Sequence, residues 1–309
     1  KWEDPEKYSI VWRKQSDIIK IDKNNDFISA NEIEIFNILN FYNFKKLNFL
    51  GTASNGCILF RPFGILNMME SGVDTSLIGD LSDCLYDERY DSKAKTYSEA
   101  NVIVNNYINS NIISLNNLII FAKRSKTKLI INFSTVAVYG EVNKKNLNEE
   151  YVPIKQNLLG MTKNLSEKIL YLQPINFVNI RLPGVLCSRK NSFRPWLQTI
   201  INKIKSGKNV NIYNLYNKFN NVIDTHEIAQ LILKIIGKKH NIRETFNLSA
   251  TKPIKMIKIM NIIKSKYQSK SKIKKFNNSK NSFLISTDKI KKKLGFHPES
   301  TEKIILRNL

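Results

Sequence analysis

The sequence has few of the residues that mark several classes of protein. It contains 11 glycines and 8 prolines in 309 residues, which excludes a collagen-like or linker-type chain. Its three cysteines, Cys57, Cys84 and Cys187, are far apart, and its three histidines are equally scattered. This spacing predicts neither a disulfide framework nor a metal site, and it favours a reducing compartment.

Long apolar runs are also missing. No stretch of about 18 or more apolar residues occurs, so we expect no membrane-spanning helix. The first residues lack the charged-then-apolar plan of a secretory signal. We therefore expect a cytoplasmic protein with no membrane partner. Hydrophobic residues make up 42% of the chain, enough for one large domain or two smaller ones.

Acidic residues are scarce relative to basic ones, and the net charge is +23. A field of this size attracts polyanions such as nucleotides and nucleic acid. However, Lys far outnumbers Arg, no Arg cluster occurs, and the most basic stretch, residues 264–280, holds one Tyr and one Phe. Lys, Asn and Ile also rise together in AT-rich coding sequence. A compositional and a functional origin of the charge both stay open, and we do not expect a nucleic-acid partner.

Short apolar runs alternate with helix-like segments from residue 47 to residue 182. The predicted strands are 47–50, 73–78, 102–104, 128–133 and 177–182, and the predicted helices include 108–123 and 164–172. This alternation is typical of an α/β fold with a doubly wound parallel sheet. We place that domain at residues 46–182 and a smaller C-terminal α/β domain at residues 183–309.

The first 45 residues do not fit this pattern. Partial alternation predicts a hairpin over residues 8–22. Ser29 and Glu32 have the spacing of a capping box, which predicts a helix from that point. We expect residues 1–45 to form an N-terminal extension, and nothing in their sequence indicates a function.

Hydroxyl residues follow the predicted strand 128–133. Ser134 and Thr135 end it, Tyr139 and Gly140 come next, and Lys163 lies 28 residues after Thr135 near the start of a helix. Open parallel sheets bind ligands at the carboxyl ends of their strands, where a hydroxyl can hydrogen-bond a substrate oxygen. The sequence therefore predicts a binding site at this end of the strand.

These pieces, in this order, resemble a known family. Together with 181–185, 219–224, 245–249 and 294–298, they resemble the extended short-chain dehydrogenases of the NAD-dependent epimerase/dehydratase group. The resemblance covers about residues 100–309, and more loosely 47–99. It implies a Rossmann-like domain, NAD or NADP as cofactor and a nucleotide-linked sugar as substrate. The implied reaction is a hydride-mediated epimerisation, dehydration or reduction.

The resemblance also implies roles for individual residues. In the family a Ser or Thr polarises the substrate oxygen, a Tyr exchanges the proton, and a Lys four residues later holds the nicotinamide ribose. Thr135 takes the first place, with Ser134 beside it on the substrate, and Lys163 takes the last. Leu159 falls in the Tyr place, and a leucine has no titratable proton. Three explanations stay open: lost catalysis, another acid–base group of which Tyr139 is the nearest candidate, or a reaction that needs no Tyr.

The remaining ligand contacts are implied by the same resemblance. The family binds the cofactor pyrophosphate with Gly-x-x-Gly-x-x-Gly at a helix start. Gly51 and Gly56 take this place as a degenerate loop. The other implied contacts are Asp80 at the adenine side, Pro183 and Val185 around the nicotinamide, and Arg194 at a substrate diphosphate.

The resemblance also bears on the oligomeric state and on functions other than catalysis. Helices at 108–123 and 163–172 resemble the pair through which the family forms dimers, so a homodimer is expected. A non-catalytic scaffold with the same fold and a basic, RNA-associated member of it are the alternative functions.

Overall fold

The computed structural model describes residues 20–29, 31–51, 53–54, 57–84, 97–187, 196–237, 241–276 and 282–309. Contacts divide the chain into two units, residues 1–44 and residues 45–309.

The first unit contains helix α1 (Glu32–Phe41). The N-cap of α1 is Asn31, whose side chain accepts the Ile33 and Glu34 amides. The predicted cap, Ser29, was therefore wrong, because its hydroxyl instead bonds the Glu34 carboxylate. The predicted hairpin lies outside the described residues except for 20–22, which are not in a strand.

The second unit begins with a parallel pair of strands. Strand β1 (Lys46–Gly51) pairs with β2 (Asp74–Ser82). Two short helices, α2 (Cys57–Phe60) and α3 (Ile65–Glu70), connect them. These helices are held to the unit by apolar burial, since Leu59, Ile65 and Met68 have no solvent exposure.

The strand predicted at residues 102–104 was wrong. These residues lie in helix α4 (Tyr97–Ile108), which continues through a π-helical turn (Asn109–Ile113) into α5 (Ser114–Arg124). Ala100, Val104 and Ile108 are buried at intervals of four residues, which is the helical period. An apolar triplet alone fits either period, so the sequence did not distinguish helix from strand. The helix predicted over 108–123 is confirmed by the π-helical turn and α5.

A parallel ladder of three strands positions the candidate site. Its order is β10 (Arg243–Asn247), β5 (Phe177–Leu182) and β3 (Ile130–Thr135). Every residue of β5 except the last is buried, as expected of a strand covered on both faces. The described strands form ladders of two and three, and no single hydrogen-bonded sheet unites them.

Helix α6 (Leu158–Leu172) lies between β3 and β5 in the sequence. It begins six residues before the predicted start at 164, because the Asn157 side chain accepts the Gly160 amide and caps it there. Lys163 is therefore inside the second turn of the helix. After β3 the chain forms a 3₁₀ turn (Val136–Tyr139) and the short strand β4 (Asn146–Leu147).

The C-terminal part consists of helices and short strands around one apolar core. The helices are α7 (Trp196–Lys205), α8 (Thr225–Ile236), α9 (Met256–Lys266), α10 (Asp288–Leu294) and α11 (Thr301–Arg307). The strand pairs are β6 (Gly184–Leu186) with β9 (Val222–Asp224), β7 (Val210–Ile212) with β12 (Ile273–Lys275), β8 (Lys218–Phe219) with β11 (Ile254–Lys255), and β13 (Leu284–Ile285) with β4. Of these four described pairs, only β8–β11 is antiparallel.

Residues 218–224 are divided between β8 and β9, and β11 directly precedes α9. Gly295 ends α10 in the left-handed conformation. The domain division at residue 182 stays a prediction. No helix among the described residues is long and apolar enough to cross a membrane.

Candidate functional site

The carboxyl end of β3 brings two of the predicted site residues together. Thr135 is the last residue of the strand and caps the 3₁₀ turn, its Oγ1 accepting the Ala137 amide at 3.2 Å. Lys163 reaches the same strand end from α6, where its Nζ donates to the Phe133 carbonyl at 3.1 Å. A half-buried hydroxyl and a half-buried ammonium thus lie at one strand end.

Two close backbone contacts fix this geometry. An ideal Cβ on Gly160 would overlap the carbonyl oxygen of Ala137, so only glycine lets the first turn of α6 touch the 3₁₀ turn. Gly140 has a φ of 66°, and its Cβ would overlap the Ile154 carbonyl. The Gln156 side chain also donates to the Val138 carbonyl. The helix that carries Lys163 is therefore docked directly on the residues that follow Thr135.

Partial burial changes the pKa of the Lys163 ammonium. Its removal from water lowers the pKa of this lysine below the ordinary value. Leu159 lies one helical turn before it, half-buried on the same side of α6. The position that the sequence aligned with the family's Tyr therefore presents an apolar side chain next to the ammonium.

Ser134 hydrogen-bonds a residue of α6 one turn after Lys163. Its hydroxyl donates to Glu167 Oε1, and Glu167 in turn accepts Arg181 Nε at 3.0 Å and Nη2 at 2.7 Å. Adjacent residues of a strand point to opposite faces, so Ser134 and Thr135 cannot both face one ligand. Ser134, predicted to contact the substrate, instead lies in a buried network with 4% exposure.

Tyr139 belongs to the same buried network. Its side chain has no solvent exposure, and its hydroxyl donates to Asn247 Oδ1 at 2.7 Å. The guanidinium of Arg181 lies 5.0 Å from the centre of its ring. Burial raises the pKa of this tyrosine. These contacts are those of a buried structural residue, and the acid–base role of Tyr139 stays a prediction.

The glycine loop is only partly among the described residues. Gly51 ends β1 at a φ of 125°, and open space surrounds the place of its absent Cβ. Gly56 and the side chain of Asp80 lie outside the described residues. Strict family spacing from Gly51 would put glycines at 54 and 57, where this chain has Ser54 and Cys57, so Gly56 is one residue out of that register. Ser54 is fully buried, and its Oγ has no hydrogen-bond partner among the described residues.

The described residues fit the ribose end of a dinucleotide better than its pyrophosphate end. At the ribose end, a half-buried ammonium at the end of β3 suits a sugar hydroxyl. The pyrophosphate end departs from the family, because side chains stand where backbone should approach phosphate. Pro183 and Val185 follow β5, whose last residue, Leu182, lies beside Thr135 in the ladder. Arg194 lies outside the described residues.

A cavity of about 640 Å³ lies in the C-terminal part. Trp196 and Phe219 line it and meet edge to face with ring centres 5.6 Å apart. Four asparagines and one cation, Lys218, also line it. This cavity was not predicted from the sequence, in which the family-like segment 219–224 was the one signal for it. No group of three or more His, Cys, Asp or Glu side chains that could hold a metal ion occurs among the described residues.

Comparison with known proteins adds a family match. The model of the NAD dependent epimerase/dehydratase family matches residues 90–249. An uncharacterized protein of Methanocaldococcus jannaschii is 27% identical over 204 residues, which is 63% of this chain and 62% of the relative. The chain therefore spans less than two thirds of that relative's length.

Solved structures share the fold. UDP-glucuronic acid 4-epimerase from Bacillus cereus in complex with NAD matches with a TM-score of 0.59 at 16% identity, over 79% of this chain and 75% of that one. UDP-N-acetylglucosamine 4-epimerase from Methanobrevibacter ruminantium in complex with UDP-N-acetylmuramic acid matches with a TM-score of 0.56 at 21% identity, over 66% and 68%. The predicted fold class, α/β and Rossmann-like, is confirmed.

Proposed function

Because this chain belongs to the NAD-dependent epimerase/dehydratase family, we propose that it binds NAD or NADP across the carboxyl ends of β3 and β5. The observation that carries the proposal is the ammonium of Lys163, held at the end of β3 beside Thr135. There Lys163 would hold the nicotinamide ribose, and Pro183 and Val185 would flank the nicotinamide. When bound, the cofactor supplies hydride transfer.

The substrate that we propose is a nucleotide-linked sugar. The Thr135 hydroxyl would hydrogen-bond a sugar oxygen at the strand end. The 640 Å³ cavity would take the nucleotide, with Trp196 and Phe219 against the base and Lys218 near the phosphates. These residues bind and orient the substrate and do not exchange its proton.

We further propose that the site as it stands is impaired in turnover. Leu159 offers no proton, and Tyr139 is buried behind the strand end. A hydride-mediated epimerisation, dehydration or reduction needs a group that takes or gives the proton of the sugar hydroxyl. The chain therefore binds its ligands and turns them over far more slowly than a relative with Tyr in this place.

Titration with NADH tests the binding step. We expect NADH to quench Trp fluorescence and to raise the melting temperature of the wild type. Lys163→Met should weaken this binding about tenfold or more, since a hydrogen bond from a charged group is lost. Lys168→Met, an exposed lysine on the same helix, should leave it unchanged. If NADH changes neither the fluorescence nor the melting temperature of the wild type, the proposal is contradicted and a non-catalytic scaffold is favoured. The presence of Ser54 and Cys57 in place of loop glycines also favours a scaffold.

Restoring the phenol tests the catalytic step. Leu159→Tyr should permit turnover of a UDP-sugar where the wild type shows little, measured as conversion of the sugar by chromatography with NAD present. Leu159→Phe is the matched control, because it adds the ring without the proton. If Leu159→Tyr binds NADH and stays as inactive as Leu159→Phe, the rest of the site is not competent.

We also propose that the protein forms a homodimer through α5 and α6. Both helices expose large apolar side chains: Leu118 and Phe121 on α5, and Tyr171 and Leu172 on α6. Light scattering should give about twice the 35.8 kDa chain mass. Phe121→Glu should give a monomer, and Leu233→Glu, an exposed apolar residue of α8, should stay dimeric.

A further inference from the structure

Two lysine-rich segments that are distant in the sequence meet at one end of the C-terminal part. The first includes the end of α7 and the loop to β7, and the second runs from the end of α9 through β12. The hydroxyls of Ser269 and Ser271 both donate to the Ile204 carbonyl, and β12 pairs in parallel with β7. This contact gathers nine lysines, which we call the lysine surface: Lys203, Lys205, Lys208, Lys264, Lys266, Lys270, Lys272, Lys274 and Lys275.

The charge of the lysine surface is not compensated. Eight of its lysines are exposed and Lys264 is half-buried. No Asp or Glu occurs in residues 196–223 or 245–287. None of the nine ammonium groups lies within 4.0 Å of a carboxylate of the described residues, whose ion pairs all involve other side chains. A one-sign surface of this kind concentrates polyanions.

Helix electrostatics do not explain the cluster. Lysines at the last turn of a helix are stabilised by the helix dipole, which accounts for those at the ends of α7 and α9. The other five, Lys208, Lys270, Lys272, Lys274 and Lys275, lie outside helices. More than half of the surface therefore has no such local stabilisation.

Aromatic rings lie beside these lysines. Tyr213 follows β7 and Phe276 follows β12, and their rings meet edge to face with centres 4.6 Å apart. Their side chains are 43% and 38% exposed. The large apolar side chains exposed in 203–218 and 264–276 are all aromatic: Tyr213, Tyr216 and Phe276. Exposed rings offer stacking surfaces for bases. Tyr213 and Phe276 follow strands, and they do not belong to an amphipathic helix of the kind that lies in a membrane interface.

We propose that the lysine surface, with Tyr213 and Phe276, binds single-stranded nucleic acid. The ammonium groups neutralise backbone phosphates, and the rings stack on unpaired bases, which a duplex does not offer. This function needs neither the cofactor nor residue 163 and so goes beyond the function proposed above. The surface became apparent only in the fold, because about 55 residues separate its two segments in the sequence.

Fluorescence anisotropy of a labelled oligouridylate of about 20 nucleotides tests this proposal. The variant Lys208→Glu/Lys272→Glu/Lys274→Glu should bind at least about tenfold more weakly, and its slope of log K against log salt should be shallower by about 2, at about 0.7 per phosphate contact. The matched control is Lys123→Glu/Lys126→Glu/Lys128→Glu, which changes the net charge equally at the exposed end of α5. The affinity of this control variant for the oligouridylate should stay within about twofold of that of the wild type.

The contribution of the aromatic rings to binding is measured separately from that of the lysines. Phe276→Ala should weaken binding about tenfold while leaving the salt slope unchanged, because stacking releases no counterions. A thermal melt checks that each variant is folded, and glutamine in place of glutamate serves if the charge reversal unfolds the chain.

Three results would overturn the proposal. Equal losses in the two triple variants would mean that net charge alone attracts the RNA. Equal affinity for a duplex of the same length would exclude recognition of unpaired bases. Binding to phosphatidylserine vesicles without binding to the oligonucleotide would assign the surface to a membrane instead.

Discussion

The ion pair between Glu167 and Arg181 is the residue contact that most directly supports the candidate site. The pair joins α6 to β5 and places the guanidinium over the ring of Tyr139. Glu167 also accepts a hydrogen bond from the Ser134 hydroxyl of β3. Both side chains are at least nine-tenths buried. Burial alone would lower the pKa of Arg181, but the hydrogen bonds and charge of Glu167 outweigh it and raise that pKa.

Glu167→Ala should therefore destabilise the protein by about 3–5 kcal/mol, because it leaves the Arg181 charge buried without a partner. Urea unfolding measures the loss. Lys258→Ala is the control: it breaks an exposed pair with Glu302 and should cost at most about 1 kcal/mol. Similar losses in the two variants would mean that Arg181 reaches water.

Residue-scale prediction from sequence succeeded where chain order was informative and failed where side-chain direction decided the outcome. The order of Thr135 and Lys163 predicted that both lie at the end of one strand, and the structure brings them there. Ser134 carries the same hydroxyl one residue earlier, yet the strand turns it to the buried face. The Arg181 and Glu167 partners that determine this choice are distant in the sequence.

The contact between α6 and the 3₁₀ turn is the packing feature on which the site depends at the scale of elements. A helical glycine is usually replaced by alanine with a gain of up to about 1 kcal/mol. Gly160→Ala should instead destabilise the fold, since the new methyl group overlaps the Ala137 carbonyl. It should also weaken NADH binding, because α6 must move away from β3.

Thermal melting and NADH titration of Gly160→Ala check both effects. Gly237→Ala is the matched control, at the end of α8, where a Cβ has ordinary room and φ is −73°. It should change the melting temperature by no more than a few degrees. A Gly160→Ala protein with the melting temperature and NADH affinity of the wild type would contradict the close docking of α6.

Element prediction was limited by the shortness of the apolar runs. The strands β3 and β5 are long and β-branched, so their type was clear from the sequence. Residues 102–104 are three apolar residues in an otherwise polar segment, which fits a strand or one face of a helix equally. The tertiary contacts of Ala100 and Ile108 determined the helix.

At the scale of the whole molecule, the C-terminal helix is tied to the core by Asp224. This buried carboxylate caps α8 by accepting the Glu227 amide, and it accepts hydrogen bonds from Arg307 at 2.7 Å and Asn308 at 2.9 Å. Burial raises its pKa, but the hydrogen bonds from Arg307, the Glu227 amide and Asn308 outweigh burial and lower the pKa below the ordinary value of an aspartate. The sequence did not predict this link, because its partners are about 80 residues apart.

The lowered pKa fixes the sign of a pH effect on stability. The unfolded chain binds the proton more tightly than the folded one, so the stabilisation is complete above about pH 5 and is lost as the pH falls through the folded pKa. Asp224→Asn should cost about 1–3 kcal/mol at pH 7, and its deficit against the wild type should shrink below about pH 4. Asp288→Asn, at an exposed carboxylate in the first turn of α10, should differ little from the wild type at either pH. Urea unfolding at pH 7 and pH 3 measures these differences, and a deficit that stays constant between the two would mean that Asp224 is not held ionised by Arg307.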